Sequence, residues 1–363
     1  MTDETFGEWP LKRLLTERIG SGPRSAEDLT YDQAKEGFVR LLDGDPDPPT
    51  VSAFLLANRW KESTPAELAG FIDAIRDRSV DTVAPNVDPV DVGANYDGKA
   101  KTALLSVAAG LVTAAAGTPV VVHSGPRLPG KLGVTHRDVL QELGIRTDLS
   151  PAESARTTDE FGFGFYYQPR FNPGVDALRS LRKSVAVRTS INTVETLVNP
   201  AAATAHLGSF YHLTYAELTI EAVQRSETLS YDRILMFRGA EGNGDVRHGR
   251  VPLAELHPDA DEIATSKFDP ANLGFDFDRS DIEVDNVRSD SARATEAVLA
   301  GERTDSLADA VAVNAGIRIY AGGDVDSIAE GVEVAAATID SGEAEDTLAA
   351  LRGADYPRVN AQD

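Results

Sequence analysis

The chain contains no cysteine. That excludes a disulfide framework, a thiolate metal centre and a cysteine nucleophile. Lysine is scarce as well: Lys12, Lys35, Lys61, Lys99, Lys101, Lys131, Lys183 and Lys267 are all there are in 363 residues. No apolar run approaches the roughly 20 residues that cross a bilayer, so no membrane partner is expected. The start, Met1 to Trp9, is acidic and polar, unlike a signal peptide, and a cytoplasmic location is the expectation.

What the sequence has in abundance is acid. Fifty-eight Asp and Glu face 35 Lys and Arg, a formal charge of −23. An acid-rich, lysine-poor surface suits a very salty cytoplasm, where screening removes the self-repulsion of like charges. The same balance counts against a general nucleic-acid binder, which carries a basic footprint. A hydrophobic fraction of 42% is ample for a packed core.

The first eighty residues read as helices. Leu11 to Ile19 is one. Thr30 with Gln33 forms a capping box that opens a second, running to about Leu42. Val51 to Lys61 is a third. Thr64-Pro65-Ala66-Glu67 joins an N-cap, a proline at the first helical position and a capping-box glutamate, and that helix runs to about Asp77. From Val90 the pattern changes to alternation. Strands are expected at Val83–Val92, Pro119–His123, Phe161–Tyr167 and Ile234–Phe237. Helices are expected at Ala103–Ala116, His136–Leu143, Val175–Lys183, Tyr215–Gln224, Ala292–Ala300, Ser306–Tyr320, Ser327–Ile339 and Ala344–Leu351. Glu241 to Ser289 reads as acidic loops with short strands. Alternation of this kind means an α/β sheet covered by helices.

Four groups carry chemistry. Gly93, Asn95, Asp97, Gly98, Lys99 and Lys101 sit on a strand-to-helix turn, where glycine admits close approach and helix amides favour anions. An ordinary turn has the same composition. A second apolar strand delivers His123 to a Gly/Pro-rich loop with Arg127 and Lys131, where ligands gather in α/β sheets; a solvated basic loop is the plain alternative. Arg179, Arg182 and Lys183 fall within one helical turn, followed by Arg188 and Asn192, and suit a carboxylate or phosphate. A salt-bridged helix face reads the same way. Glu241 and Asp245 lie on a glycine-rich loop after Ile234–Phe237, and carboxylates there could hold Mg²⁺ through oxygen; in a chain this acidic, a chance pair of acids is the favoured plain reading.

The order of these features, with Val187-Arg188-Thr189-Ser190-Ile191-Asn192, Leu197-Val198-Asn199-Pro200 and Val313-Asn314-Ala315-Gly316 further on, resembles the anthranilate phosphoribosyltransferase family, whose fold is shared with pyrimidine nucleoside phosphorylases. The resemblance spans about Leu11 to Leu351. It implies a small N-terminal helical domain, residues 1–80 with the helices at about 173–200 packed on it. The rest, 81–363, is a larger α/β domain with a mostly parallel central sheet. It implies transfer of ribose 5-phosphate from phosphoribosyl pyrophosphate to the amine of anthranilate, with Mg²⁺, in a homodimer that meets through the helical domain. The chemistry is displacement at an anomeric carbon, where the protein positions diphosphate and stabilises departing charge.

Matched residue by residue, the family's Gly-Thr-Gly-Gly-Asp turn falls on Gly93 to Asp97, with a tyrosine, Tyr96, at one glycine position. The pyrophosphate-holding helix start keeps only Ser106. His123 and Lys131 match residues of the second loop. The arginine that grips the acceptor carboxylate falls on Arg182, and the metal-binding Asp-Glu pair on Gly244-Asp245, with Glu241 nearby. The departures resemble a divergent, haloarchaeal-type branch. Two alternatives stay open: a non-catalytic member binding nucleic acid or nucleotide in the same cleft, and a nucleoside phosphorylase-like reaction.

Overall fold

The structure, a computed structural model, describes residues 7–354 apart from 21, 23, 94, 95, 129–132, 243 and 259. The helices of the first eighty residues start where local chemistry says they should. Both capping boxes form: Thr30 with Gln33 opens Tyr31–Asp43, and Thr64 with Glu67 opens Pro65–Ser79. Pro48 and Pro49 do not precede the third helix but begin it, capped by Asp47, because the first helical positions need no amide donor. The expected helix at Leu11–Ile19 is an α-turn over Leu11–Leu14 that widens into a π-helix over Leu15–Ile19. Phe38, Phe54 and Phe71 centre this lobe, with Phe38 stacked on Phe71 at 4.1 Å and Phe54 edge-on to both.

The sheet has seven strands: β1 Val90–Gly93, β2 Val120–Ser124, β3 Phe163–Tyr167, β4 Ala205–Phe210, β5 Arg233–Arg238, β6 Val251–Leu256 and β7 Ala264–Phe268. Their order is β3-β2-β1-β4-β5-β6-β7. The first five are parallel and the last two antiparallel, so the sheet is mostly parallel, as expected. The chain lays β2 and β3 on one side of β1, then returns to lay β4 and β5 on the other. β1 and β4 are therefore neighbours whose connections leave in opposite directions, which opens a crevice at their carboxyl ends.

The structure departs from several sequence expectations. β4 was not foreseen, and β6 and β7 lie in the segment read as mainly irregular. The helix Pro151–Phe161 was missed, although Ser150 and Glu153 form its capping box. Val175–Lys183 is two short helices, Pro173–Ala177 and Arg179–Val185, broken at Leu178. The helix expected from Ala103 begins only at Ser106, because Lys99 and Thr102 are drawn into bridges with Val134 and Glu283.

One core lies between the sheet and the helices Ser106–Ala115, Ser306–Gly322, Ile328–Ser341 and Glu343–Gly353. Two of those helices touch through Gly316 and Gly331; a Cβ on Gly316 would come within 2.5 Å of the Val332 nitrogen. The second core fuses the other sheet face, through the helix Leu213–Arg225, with the N-terminal helices and the segment 171–201.

Candidate functional site

A cavity of about 350 Å³ lies at the carboxyl ends of β1, β4 and β5, within the size range of small-molecule sites. Gly93 ends β1 there, Tyr211 and His212 follow β4, and Glu241 follows β5. The segment carrying Arg188, Thr189, Asn192 and Thr193 forms the opposite wall, with Arg59 from the end of the helix Pro48–Lys61. Glycine at 93 is a packing requirement: a Cβ there would sit 1.9 Å from the Thr196 carbonyl oxygen. A side chain would push that wall off the sheet.

The cavity is cationic where the rest of the molecule is acidic. Arg59 is exposed, and the Arg188 guanidinium, 43% exposed, pairs with the buried Asp97 carboxylate. Asn192 accepts from the Thr189 amide at 3.0 Å and lies 3.5 Å from Asp97. Glu241 takes the amide and the hydroxyl of Thr102, each at 2.8 Å, and these hydrogen bonds hold its carboxyl below the usual range although burial opposes them.

Beneath the cavity floor lies a charged network. The Asp91 carboxylate, fully buried on β1, accepts from His206 Nδ1 at 2.8 Å and from the Tyr231 hydroxyl at 2.9 Å, and lies 3.3 Å from His123 Nε2. The imidazoles override burial and keep Asp91 well below the ordinary carboxylate range. The Tyr96 hydroxyl is 2.8 Å from His123 Nδ1, and its ring packs against Gly125. Tyr96 thus plugs the space between the two loops and covers His123.

The turn itself is tightly packed. The Lys99 ammonium is 2% exposed and ion-paired with Asp245, and it donates to Thr102 Oγ1 at 3.2 Å and to the Ala103 carbonyl at 3.0 Å. Asp245 also takes the Leu105 amide at 3.0 Å and the Ser106 hydroxyl. Burial would raise Asp245, but Lys99 wins and holds it below the normal range. Gly98, at φ +70, backs onto Gly133 so closely that a Cβ would meet its backbone at 2.5 Å. The loop after β5 is held from behind: Asn314 accepts from the Val246 amide at 2.8 Å, and Arg318, wholly buried, donates to the Gly244 carbonyl at 3.2 Å.

The structure therefore sorts the sequence candidates. Gly93, Asn192 and Glu241 line the cavity, and Asp97 holds Arg188 on its wall. Arg182 does not: its guanidinium is buried and bidentate to Glu195 at 2.8 Å on both arms. Burial works against that charge, but Glu195 outweighs it and raises the Arg182 pKa. His123 lies beneath Tyr96 and does not line the cavity. Lys99 and Ser106 face Asp245. Lys101 opens onto a separate surface groove beside Arg279 and Arg303. Arg127 pairs with Asp138 at 3.0 Å on the surface. Asn95 and Lys131 lie outside the described residues. The sequence reading missed Arg59, Asp91 and His206; Asp91 meets its histidines only in the fold, and the available signal was a histidine on each of the strands that flank β1.

The residues do not fit a resident Mg²⁺. Asp245 has a lysine ammonium and a hydroxyl on its oxygens, Glu241 is bonded to Thr102, and no group of three metal-ligating side chains occurs among the described residues.

A helical bundle set against an α/β lobe, with a cationic cavity at the sheet's switch point, defines a two-domain glycosyl transferase. Matches to known proteins agree. The family described as "Glycosyl transferase family, helical bundle domain" matches residues 13–79, and "Glycosyl transferase family, a/b domain" matches residues 86–345. Within it, this chain belongs to the anthranilate phosphoribosyltransferase family. It is 35% identical to the anthranilate phosphoribosyltransferase of Halobacterium salinarum over 93% of this chain and 97% of that one. It is 31% identical to that of Haloferax volcanii, over 93% and 98%. The anthranilate phosphoribosyltransferase structure from Thermus thermophilus superposes with a TM-score of 0.78 at 26% identity, covering 90% of this chain and 95% of that one. The Saccharomyces cerevisiae enzyme in complex with PRPP and Mg shares the fold, with a TM-score of 0.76 at 18% identity over 93% and 96%. None of these matches favours the nucleic-acid or phosphorylase alternative. No helix among the described residues is long and apolar enough to cross a membrane.

Proposed function

We propose that the chain transfers the ribose 5-phosphate of phosphoribosyl pyrophosphate to the amine of anthranilate, as its named relatives imply, and so serves tryptophan synthesis. The observation that carries the reading is the pair of guanidiniums, Arg59 and Arg188, on a cavity at the β1/β4 switch point of an otherwise anionic protein. In the reaction the amine nitrogen bonds to the anomeric carbon, the bond from that carbon to the diphosphate oxygen breaks, and the nitrogen loses one proton. Arg59 and Arg188 receive anionic groups of the substrates, as planar cations suited to phosphate and carboxylate. Asn192 and the Thr189 and Thr193 hydroxyls are the polar groups that orient them. Arg182, bound to Glu195, props the wall that carries Arg188 and meets an acceptor carboxylate only if it exchanges partners.

Magnesium enters this scheme with the diphosphate, as part of the substrate, not on Asp245. Residues 1–80 with the helices at 173–200 act as one lobe and 81–363 as the other. The working form is a homodimer through the helical lobe, where Trp60 is 75% exposed, in a salt-rich cytoplasm. The test is to mix protein, phosphoribosyl pyrophosphate, Mg²⁺ and anthranilate in molar KCl and follow anthranilate fluorescence. A protein-dependent loss that requires phosphoribosyl pyrophosphate supports the reading. A flat trace, with folded protein, overturns it.

A further inference from the structure

We propose that the Lys99 ammonium is a tethered cation that occupies the place of a metal ion between the loops after β1 and β5. The environment of its nitrogen is all oxygen. An ammonium has three protons, and three acceptors surround this one: the Asp245 carboxylate, Thr102 Oγ1 at 3.2 Å and the Ala103 carbonyl at 3.0 Å. Carboxylate, hydroxyl and carbonyl oxygens are also what a hard divalent ion selects, and lysine is the side chain whose charge is a compact point.

Both acidic residues of the loop after β5 answer to this one cation. Asp245 binds it directly. Glu241 reaches it through Thr102, whose hydroxyl donates to Glu241 at 2.8 Å while accepting from Lys99. A single ammonium carries half the charge of a divalent ion, and the other half is close by: Arg318, buried on the helix Ser306–Gly322, bonds the Gly244 carbonyl beside Asp245. The pair of fixed cations thus closes the two loops with no exchangeable ion. This rests on the proposed function only for its consequence, that diphosphate binding needs no protein-held metal; the cation site is tested without turnover.

Mn²⁺ serves as the probe, since it is a hard cation visible by electron paramagnetic resonance. Titrations in molar KCl suppress weak binding to the acidic surface. The unmodified protein and Asp245→Asn take up Mn²⁺ equally. Lys99→Ala, which empties the oxygen cage, gains one Mn²⁺ per chain, and adding Asp245→Asn removes it. Mn²⁺ also raises the melting temperature of Lys99→Ala and leaves that of the unmodified protein unchanged. An Asp245-dependent Mn²⁺ site in the unmodified protein overturns the proposal. So does a Lys99→Ala protein that gains no ion, or that stays unfolded at every Mn²⁺ concentration. Absent turnover with anthranilate would overturn the proposed function instead, and would leave these metal titrations as they are.

Discussion

Two segments flank the same sheet ends and have opposite fates. The turn after β1, residues 96–106, carries Gly98, an aspartate and two lysines, yet Tyr96, Asp97, Lys99 and Ser106 are all buried. The segment around 188–193, with fewer obvious signals, borders an open cavity and leaves a guanidinium facing it. A cation in a strand-to-helix turn is therefore not yet an anion site. What decides is the partner supplied from elsewhere in the chain: Asp245 takes Lys99 out of use, whereas Asp97 holds Arg188 while leaving it partly exposed.

If the first segment is structural, breaking its ion pair should give the largest effect. Asp245→Asn leaves a buried ammonium uncompensated and should cost about 3–5 kcal/mol, measured by denaturant unfolding at fixed molar KCl. A loss below ~1 kcal/mol would erase the contrast between the two segments.

The packed side should also be the pH-sensitive one. His136, buried at the start of the helix His136–Glu142, has its pKa pushed down by burial to about 4. The unfolded chain, titrating near 6.5, takes up that proton first as pH falls. Stability should therefore decline between pH 6.5 and 4, by ~3 kcal/mol in all from this residue. In His136→Gln that slope should be shallower by the same amount.

On the open side, Arg188→Ala should weaken phosphoribosyl pyrophosphate by about 1.5–3 kcal/mol, the worth of a lost charge-assisted contact. The smallest effect belongs outside both segments. Arg127→Ala, which removes an exposed pair with Asp138, should change stability by less than ~1 kcal/mol and leave ligand affinity as it was.

Sequence reading succeeded where structure is local. Thr30 with Gln33 and Thr64 with Glu67 are spaced so that each cap bonds its own helix, and both helices begin there. β2 and β5 are continuous apolar runs and were legible. β4, Ala-His-Leu-Gly-Ser-Phe, was not, because its small and polar residues are buried by neighbours that the segment does not announce. β7 is exposed along most of its length and has no apolar face to betray it. The same limit governed the site. Gly93, Asn192 and Glu241 were found, but Lys99 and Arg182 were read as free cations because their carboxylate partners, Asp245 and Glu195, become neighbours only in the fold. Arg59 was missed because it stands on a helix of the other lobe.

Binding of the sugar diphosphate in the cavity between β1 and β4 is the central claim. Calorimetric titration of phosphoribosyl pyrophosphate with Mg²⁺ in molar KCl, into the unmodified protein and into Arg188→Ala, addresses that directly. Saturable binding that weakens at least tenfold in the variant is the predicted result. Equal affinity for both proteins, or no heat of binding from either, would contradict it.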